Sequence, residues 1–307
     1  MVAPSGHQIE IAFGDHHAVV VEVGGGLRTY SAGSRDILDG YTQSELCSSG
    51  RGQVLIPWPN RIENGTYEFA NKRHQLPLNE VESRNAIHGL VRWSSWTVAE
   101  RQLDRVAMEY SLHPQPGYPF SLGLRIEYGL TEKGLSVRHT ATNLGEEPCP
   151  YGAGAHPYLR LGEDTIDRLV LGSPAQTVLY SNDRGIPTGS RSVDRTEYDF
   201  RKPHSIGRTK LDHAFTDLKR DAAGLSRVSL SDPDGESEVS LWVDEGYGYL
   251  MLITGDPLPD INRRSLAIEP MTCAPNAFRS GDGLLVLDPG QSFTATWGIT
   301  PILGPRS

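Results

Sequence analysis

The chain has 307 residues, with 29 Lys and Arg against 38 Asp and Glu and a formal net charge of -9. That balance argues against nucleic acid as the main partner, because such binding needs a basic patch to displace counterions. Hydrophobic residues at 37%, charged residues at 22% and a mean hydropathy of -0.39 exclude a disordered chain. With Gly 33 and Pro 21, the sequence is too heavily punctuated for a helical protein and fits short strands joined by turns.

Apolar and polar residues alternate with period two in nearly every segment. The pattern starts at Ile9–Phe13 and Ala18–Val23, followed by the turn cluster Gly24-Gly25-Gly26. It resumes at Trp96–Glu100 and Val106–Leu112. Leu124, Ile126, Tyr128 and Leu130 then alternate with Arg125 and Glu127. Past a turn at Glu132-Lys133-Gly134, the residues Leu135, Val137, His139 and Ala141 do the same. One apolar and one polar face mark a half-buried antiparallel hairpin. Val228–Leu230, Val239–Val243, Tyr249–Ile253 and Phe293–Ile299 complete the series, separated by Asp232-Pro233-Asp234-Gly235 and Asp288-Pro289-Gly290. No apolar stripe of helical period runs beyond two turns. The fold class is therefore all-β, a large twisted antiparallel sandwich or barrel with few short helices.

No fixed-period repeat or low-complexity linker divides the chain, so residues 1–307 read as a single domain. Gly185–Lys210, polar and rich in arginine, reads as a long surface excursion. Cys47, Cys149 and Cys273 are widely spaced without a CxxC, which predicts free thiols rather than a zinc site or disulfide framework. His16 and His17 would point to opposite strand faces, and no HExxH exists, so no metal is expected. The first residues lack a signal-peptide pattern and no apolar run is long enough to span a membrane, which points to a cytoplasmic protein.

Five segments place polar residues in Gly- and Pro-rich apolar surroundings. In Ile56-Pro57-Trp58-Pro59-Asn60-Arg61, the prolines hold the chain extended and rigid, presenting Asn60 and Arg61 from a fixed base. Asn85-Ala86-Ile87-His88-Gly89 offers a histidine beside glycine. In Gly152-Ala153-Gly154-Ala155-His156-Pro157-Tyr158, small residues leave room and Pro157 presets His156. Leu211-Asp212-His213-Ala214-Phe215 sets an acid next to an apolar pair. In Ala267-Ile268-Glu269-Pro270-Met271, a carboxylate closes an apolar strand and the proline stops the ladder. Each alone is equally what a surface turn or a satisfied core histidine provides. Glu269 either reaches solvent or has a chemical task.

Taken in order, the five segments, with Leu287-Asp288-Pro289-Gly290-Gln291, resemble the aldose 1-epimerase (galactose mutarotase) family over roughly residues 8–300. The resemblance implies a large β-sandwich with a sugar cleft on one sheet face and interconversion of α and β anomers. It implies His156 as general acid and Glu269 as general base. Asn60, Arg61, His88 and Asp212 would hold the sugar hydroxyls, with no cofactor and no metal. A small-molecule sugar is the expected partner, with no membrane and no nucleic acid, for a monomer or homodimer.

The chemistry agrees. Opening a pyranose needs a base at the C1 hydroxyl and an acid at the ring oxygen, and histidine titrates near neutrality. On this scheme Glu269 starts each turnover ionised and His156 protonated. Trp58 or Trp242 would cover the apolar sugar face if either left the core. Two alternatives stand beside this reading. A hexose-6-phosphate 1-epimerase would need extra cations, for which Arg51, Arg84 and Arg92 are candidates. A non-catalytic sugar-binding protein on the same fold would not need both an acid and a base. A glycosidase would pair Glu269 with Asp212 and leave His156 without a role.

Overall fold

The computed structural model describes residues 2–162 and 165–305. The alternation becomes strand, as anticipated. Leu122–Thr131 and Gly134–Asn143 pair antiparallel from Leu122↔Asn143 to Thr131↔Gly134. Their buried rows include Leu124, Ile126 and Tyr128 facing Val137, His139 and Ala141 across the ladder. Burying each large side chain of this kind contributes roughly 1.5–3 kcal/mol, so the hydrophobic pattern fixes which face turns inward.

This hairpin forms the middle of a nine-stranded sheet. It continues through Ser292–Ile302, Glu238–Val243, Ser226–Ser231, Val170–Gly172 and His204–Ser205 on one side, and through Arg105–Leu112 and Thr97–Arg101 on the other. The second large sheet runs in the order Pro187–Ser192, Thr177–Ser181, Asp212–Thr216, Tyr249–Ile253, Leu266–Met271, Gly154–Ala155, Val54–Leu55. A smaller sheet near the N-terminus begins with Gln8–Phe13 and His16–Val21. Helix among the described residues is confined to one α turn, Ala277–Ser280, and one 3-10 turn, Ile166–Arg168. One hydrophobic cluster reaches from Ile9 to Ile299 and takes in Leu124 and Val137 of the first sheet with Phe215, Leu250 and Ile268 of the second. The fold is thus all-β, with two antiparallel sheets meeting over a common core.

Three local readings need correction. Gly185–Lys210 is not wholly a surface excursion. Pro187–Ser192 forms the edge strand of the second sheet, and Val193, Phe200 and Ile206 are buried. The stretch around Trp58 is not uniformly extended, since Ile56–Pro57 is cis and Asn60 has a φ of 53°. Nor does Pro270 stop its strand, because it pairs with Leu250 and the ladder continues to Tyr249↔Met271. Ile268 and Thr272 donate their N–H groups to Pro157 and Ala153. The nitrogen of Pro270 falls between those two bonds, where the neighbouring segment breaks between Gly154–Ala155 and Tyr158–Leu159. The donor that proline lacks would have met that gap, so the residue costs the sheet little.

Candidate active site

Strand alternation in the second sheet sorts side chains onto two faces. Leu250, Leu252, Ile268 and Phe215 turn into the core. Glu269, Met251, Ala214 and Leu179 lie in register across the opposite face. A cleft of about 260 Å³ opens on that face, near the lower end of the range that small-molecule sites occupy. Asn60, Arg61, Asp212, His213, Met251 and Arg184 are among its lining residues.

His156 and Glu269 meet beyond Met251. His156 comes from the break between two short strands, and Glu269 from the strand beside it. The imidazole Nε2 lies 3.4 Å from Glu269 Oε1, with both side chains almost entirely buried. Tyr158 stacks on the His156 ring at 4.9 Å, and His88 meets it edge-on at 5.4 Å. On its other side lies the Ser48–Gly52 loop, where a Cβ on Gly50 would stand 2.7 Å from His156 Cδ2. Asp260 ties this loop down through Ser48, Ser49 and Arg51, and Tyr158 donates its hydroxyl hydrogen to the Ser49 carbonyl.

Burial pushes His156 down to about 3, with Arg92 and Arg61 adding to the effect. Burial raises Glu269 well above the usual carboxylate range, helped by Asp212 and opposed by Arg61. These shifts favour a proton on the carboxyl beside a neutral imidazole. This differs from the separated charges anticipated for the start of turnover. The total is the same, because the pair carries one proton in either form. Both carboxylate oxygens of Glu269 lack a hydrogen-bond partner among the described residues. A buried carboxyl left this way is costly unless something else supplies the bonds.

His88 and Asn60 act as a unit, each in the left-handed region with φ of 61° and 53°. The Asn60 amide donates to His88 Nδ1 at 3.2 Å, and the His88 amide donates to the Asn60 carbonyl. Accepting at Nδ1 fixes the neutral tautomer, leaving Nε2–H as a donor. Burial holds His88 well below its ordinary value, so it stays uncharged. One ligand atom each from His88, His156 and Glu269 lies within 4.8 Å of the others, a cluster that sequence spacing did not reveal. A metal on His88 Nε2 would require a proton on Nδ1, where the Asn60 N–H already points. The hydrogen bond therefore argues against a metal ligand set.

Arg61 is spoken for on one edge. Its Nε and Nη2 grip Glu80 at 2.8–3.1 Å, while the Asn85 amide donates to the same carboxylate at 2.8 Å. Asp212 opens onto the cleft, and the protein around it raises its carboxyl, with Arg61 opposing. Arg184 bridges the cleft rim, donating to Glu63, Asn64 and Asn85 and to the Ser83 and Arg84 carbonyls. Glu80, Arg184 and Gly50 are site residues that the sequence reading missed. Their partners lie 19, about 100 and about 106 residues away, and no local pattern marks them.

Neither tryptophan covers the cleft. Trp58 is core, packed edge-on against Phe278 at 5.7 Å, and Trp242 sits on the other sheet opposite Gly298. Met251, Ala214 and Pro275 provide the apolar lining instead. Arg51 pairs with Asp260, Arg92 donates to Gln53, and Arg84 is exposed; none of the three lines the cleft.

The fold is that of the galactose mutarotase-like sandwiches. A GalM/aldose epimerase homologue from Caenorhabditis elegans superimposes with a TM-score of 0.86 at 20% identity, covering 97% of this chain and 99% of that one. A galactose mutarotase-like protein from Clostridium acetobutylicum gives 0.85 at 20% identity, covering 98% and 97%. The sequence profile of the family Aldose 1-epimerase matches residues 7–300, and the chain belongs to that family. It is also 36% identical over 288 residues to the uncharacterized protein YihR of Escherichia coli strain K12, covering 94% of this chain and 91% of that one.

Proposed function

We propose that the protein interconverts the α and β anomers of an unphosphorylated aldose. The observation that carries this reading is the buried Glu269–His156 pair, with both carboxylate oxygens lacking a hydrogen-bond partner among the described residues, next to a polar cleft. A pyranose whose C1 reaches past Met251 would bring a hydroxyl to those oxygens. Transfer of the shared proton from Glu269 to His156 across 3.4 Å gives the reactive form. Glu269 then takes the C1 hydroxyl proton while His156 donates to the ring oxygen, and the C1–O5 bond breaks. The aldehyde turns about C1–C2, and closure on the other face returns both protons. Each proton transfer of this kind typically contributes roughly 10²–10⁴-fold.

The cleft contains two arginines, Arg61 and Arg184, and both are ion-paired, with Glu80 and Glu63. Asp183 and Asp212 line it as well. This charge set favours hydroxyls over a phosphate group. It supports the epimerase of a free sugar above that of a hexose 6-phosphate.

Polarimetry on freshly dissolved α-glucose, α-galactose and glucose 6-phosphate tests the proposal. Faster mutarotation of a free sugar, giving a bell-shaped pH profile, is expected. The low-pH limb reports a second proton on the pair, and the high-pH limb reports loss of the shared one. Sugar binding without acceleration would favour a non-catalytic binding protein, and acceleration of the phosphate alone would reverse the substrate assignment.

A further inference from the structure

We propose that Glu80 is a positioning residue for sugar recognition, clamping Arg61 so that a single guanidinium edge, Nη1, is presented to the cleft. This rests on the reading of the cleft as a sugar site and goes beyond it by naming what orients the recognising group. A bidentate grip fixes the plane of a guanidinium as well as its position. Here the grip uses Nε and Nη2, the two donors on one side. Glu80 is fixed in turn: Asn85, fully buried, donates to it, and the Glu80 and Asn85 backbones exchange two hydrogen bonds of 3.1 Å. Asn85 also begins the short strand Asn85–Ile87, which pairs with Arg61–Glu63, so the residue that holds Glu80 and the residue Glu80 clamps share one ladder.

Against the guanidinium of Arg61 lies a glycine. A Cβ on Gly185 would stand 2.5 Å from Nη1, 2.8 Å from Cζ and 2.9 Å from Nε, so only the bare backbone of a glycine fits against this group. Gly185 itself lines the cleft, in a turn that Arg184 staples to the same wall. With Nε and Nη2 held by Glu80 and the group packed against bare backbone, the guanidinium has one orientation, as directional recognition of a hydroxyl requires.

The clamp also sets charge. Glu80, Asp212 and Glu269 face Arg61 from three different segments. Glu269 is faced by Asp212, Arg61, His156 and the ring of Tyr158. Arg61 with its charge uncompensated would pull Glu269, His156 and His88 all to lower values. Loss of the Glu80 charge should therefore slide the whole pH profile toward acid, an effect that mere loosening of the wall would not produce.

The test is a double-mutant cycle of Glu80→Gln with Arg61→Ala, read by mutarotation kinetics and by calorimetric sugar affinity. In the wild-type background Glu80→Gln is expected to raise KM about tenfold, with a smaller loss in kcat. The bell should move to lower pH. In the Arg61→Ala background the same change should cost little, because the group it orients is gone. Equal losses in both backgrounds, or an unchanged KM and pH profile in the single variant, would overturn the assignment. If Glu80→Gln does not fold, Glu80→Asp, which withdraws the carboxylate by one methylene, goes through the same cycle against the same two outcomes. A wild-type protein that neither turns over nor binds any of the sugars would instead sink the sugar-site reading, and this assignment with it.

Discussion

At the scale of single residues, catalysis and holding should separate. Glu269→Gln keeps size and removes the base, so kcat should fall ~10²-fold or more with modest change in KM. His156→Asn should lose a comparable factor. The double variant should lose much less than the product, because the two groups carry one proton between them. Wild-type turnover in Glu269→Gln at saturating sugar would refute the acid–base scheme. Asp212→Ala, by contrast, removes a group that opens onto the cleft, and we expect weaker sugar binding by ~1–3 kcal/mol in a titration. The tautomer of His88 leads to a separate expectation. With Nδ1 occupied by the Asn60 amide, chelator treatment should leave turnover untouched. Activity lost to a chelator and restored by a divalent ion would contradict that.

At the scale of elements, the Ser48–Gly52 loop matters because a glycine lets it touch the His156 ring. Gly50→Ala would drive a methyl into the imidazole at a position with φ of 73°. We expect kcat to fall about tenfold, together with a stability loss of about 1 kcal/mol. Gly14→Ala is the matched control, since Gly14 has φ of 58° and nothing within 4 Å of an added Cβ. The control should lose stability and keep kcat; equal kinetic losses in both would show that backbone strain alone is responsible. The elements also show what sequence can convey. Strands such as Leu122–Thr131 are legible because burial on one face imposes a period of two on neighbouring residues. His156 and Glu269 are legible only as short strings in a familiar order. The clamp of Arg61 by Glu80 is not legible at all, since an ion pair between residues 19 apart leaves no periodic trace. Pro270 misleads for a related reason: whether a missing N–H matters depends on the neighbouring strand, which local sequence does not specify.

For the molecule as a whole, the inter-sheet core carries a pH sensitivity of its own. His139 lies between the sheets, hydrogen-bonded to the Tyr247 hydroxyl at 2.8 Å, and burial pushes it down to about 4. The unfolded chain binds a proton there near the ordinary 6.5 and the folded chain does not. Stability should therefore fall as pH drops from 6.5 toward 4, by roughly 1.4 kcal/mol per unit from this group, and level off below. Denaturant midpoints at pH 7, 5.5 and 4 should decline less steeply in His139→Gln; an identical slope would remove His139 as a cause. The Arg184 staple has a consequence for how ligand arrives. A rim fastened by hydrogen bonds to five different residues cannot act as a door, so the cleft offers its final shape before any sugar is present. Encounter then needs no preceding rearrangement, and in stopped-flow mixing the observed association rate should rise in a straight line with sugar concentration. A plateau at high concentration would mean that the wall must first let go.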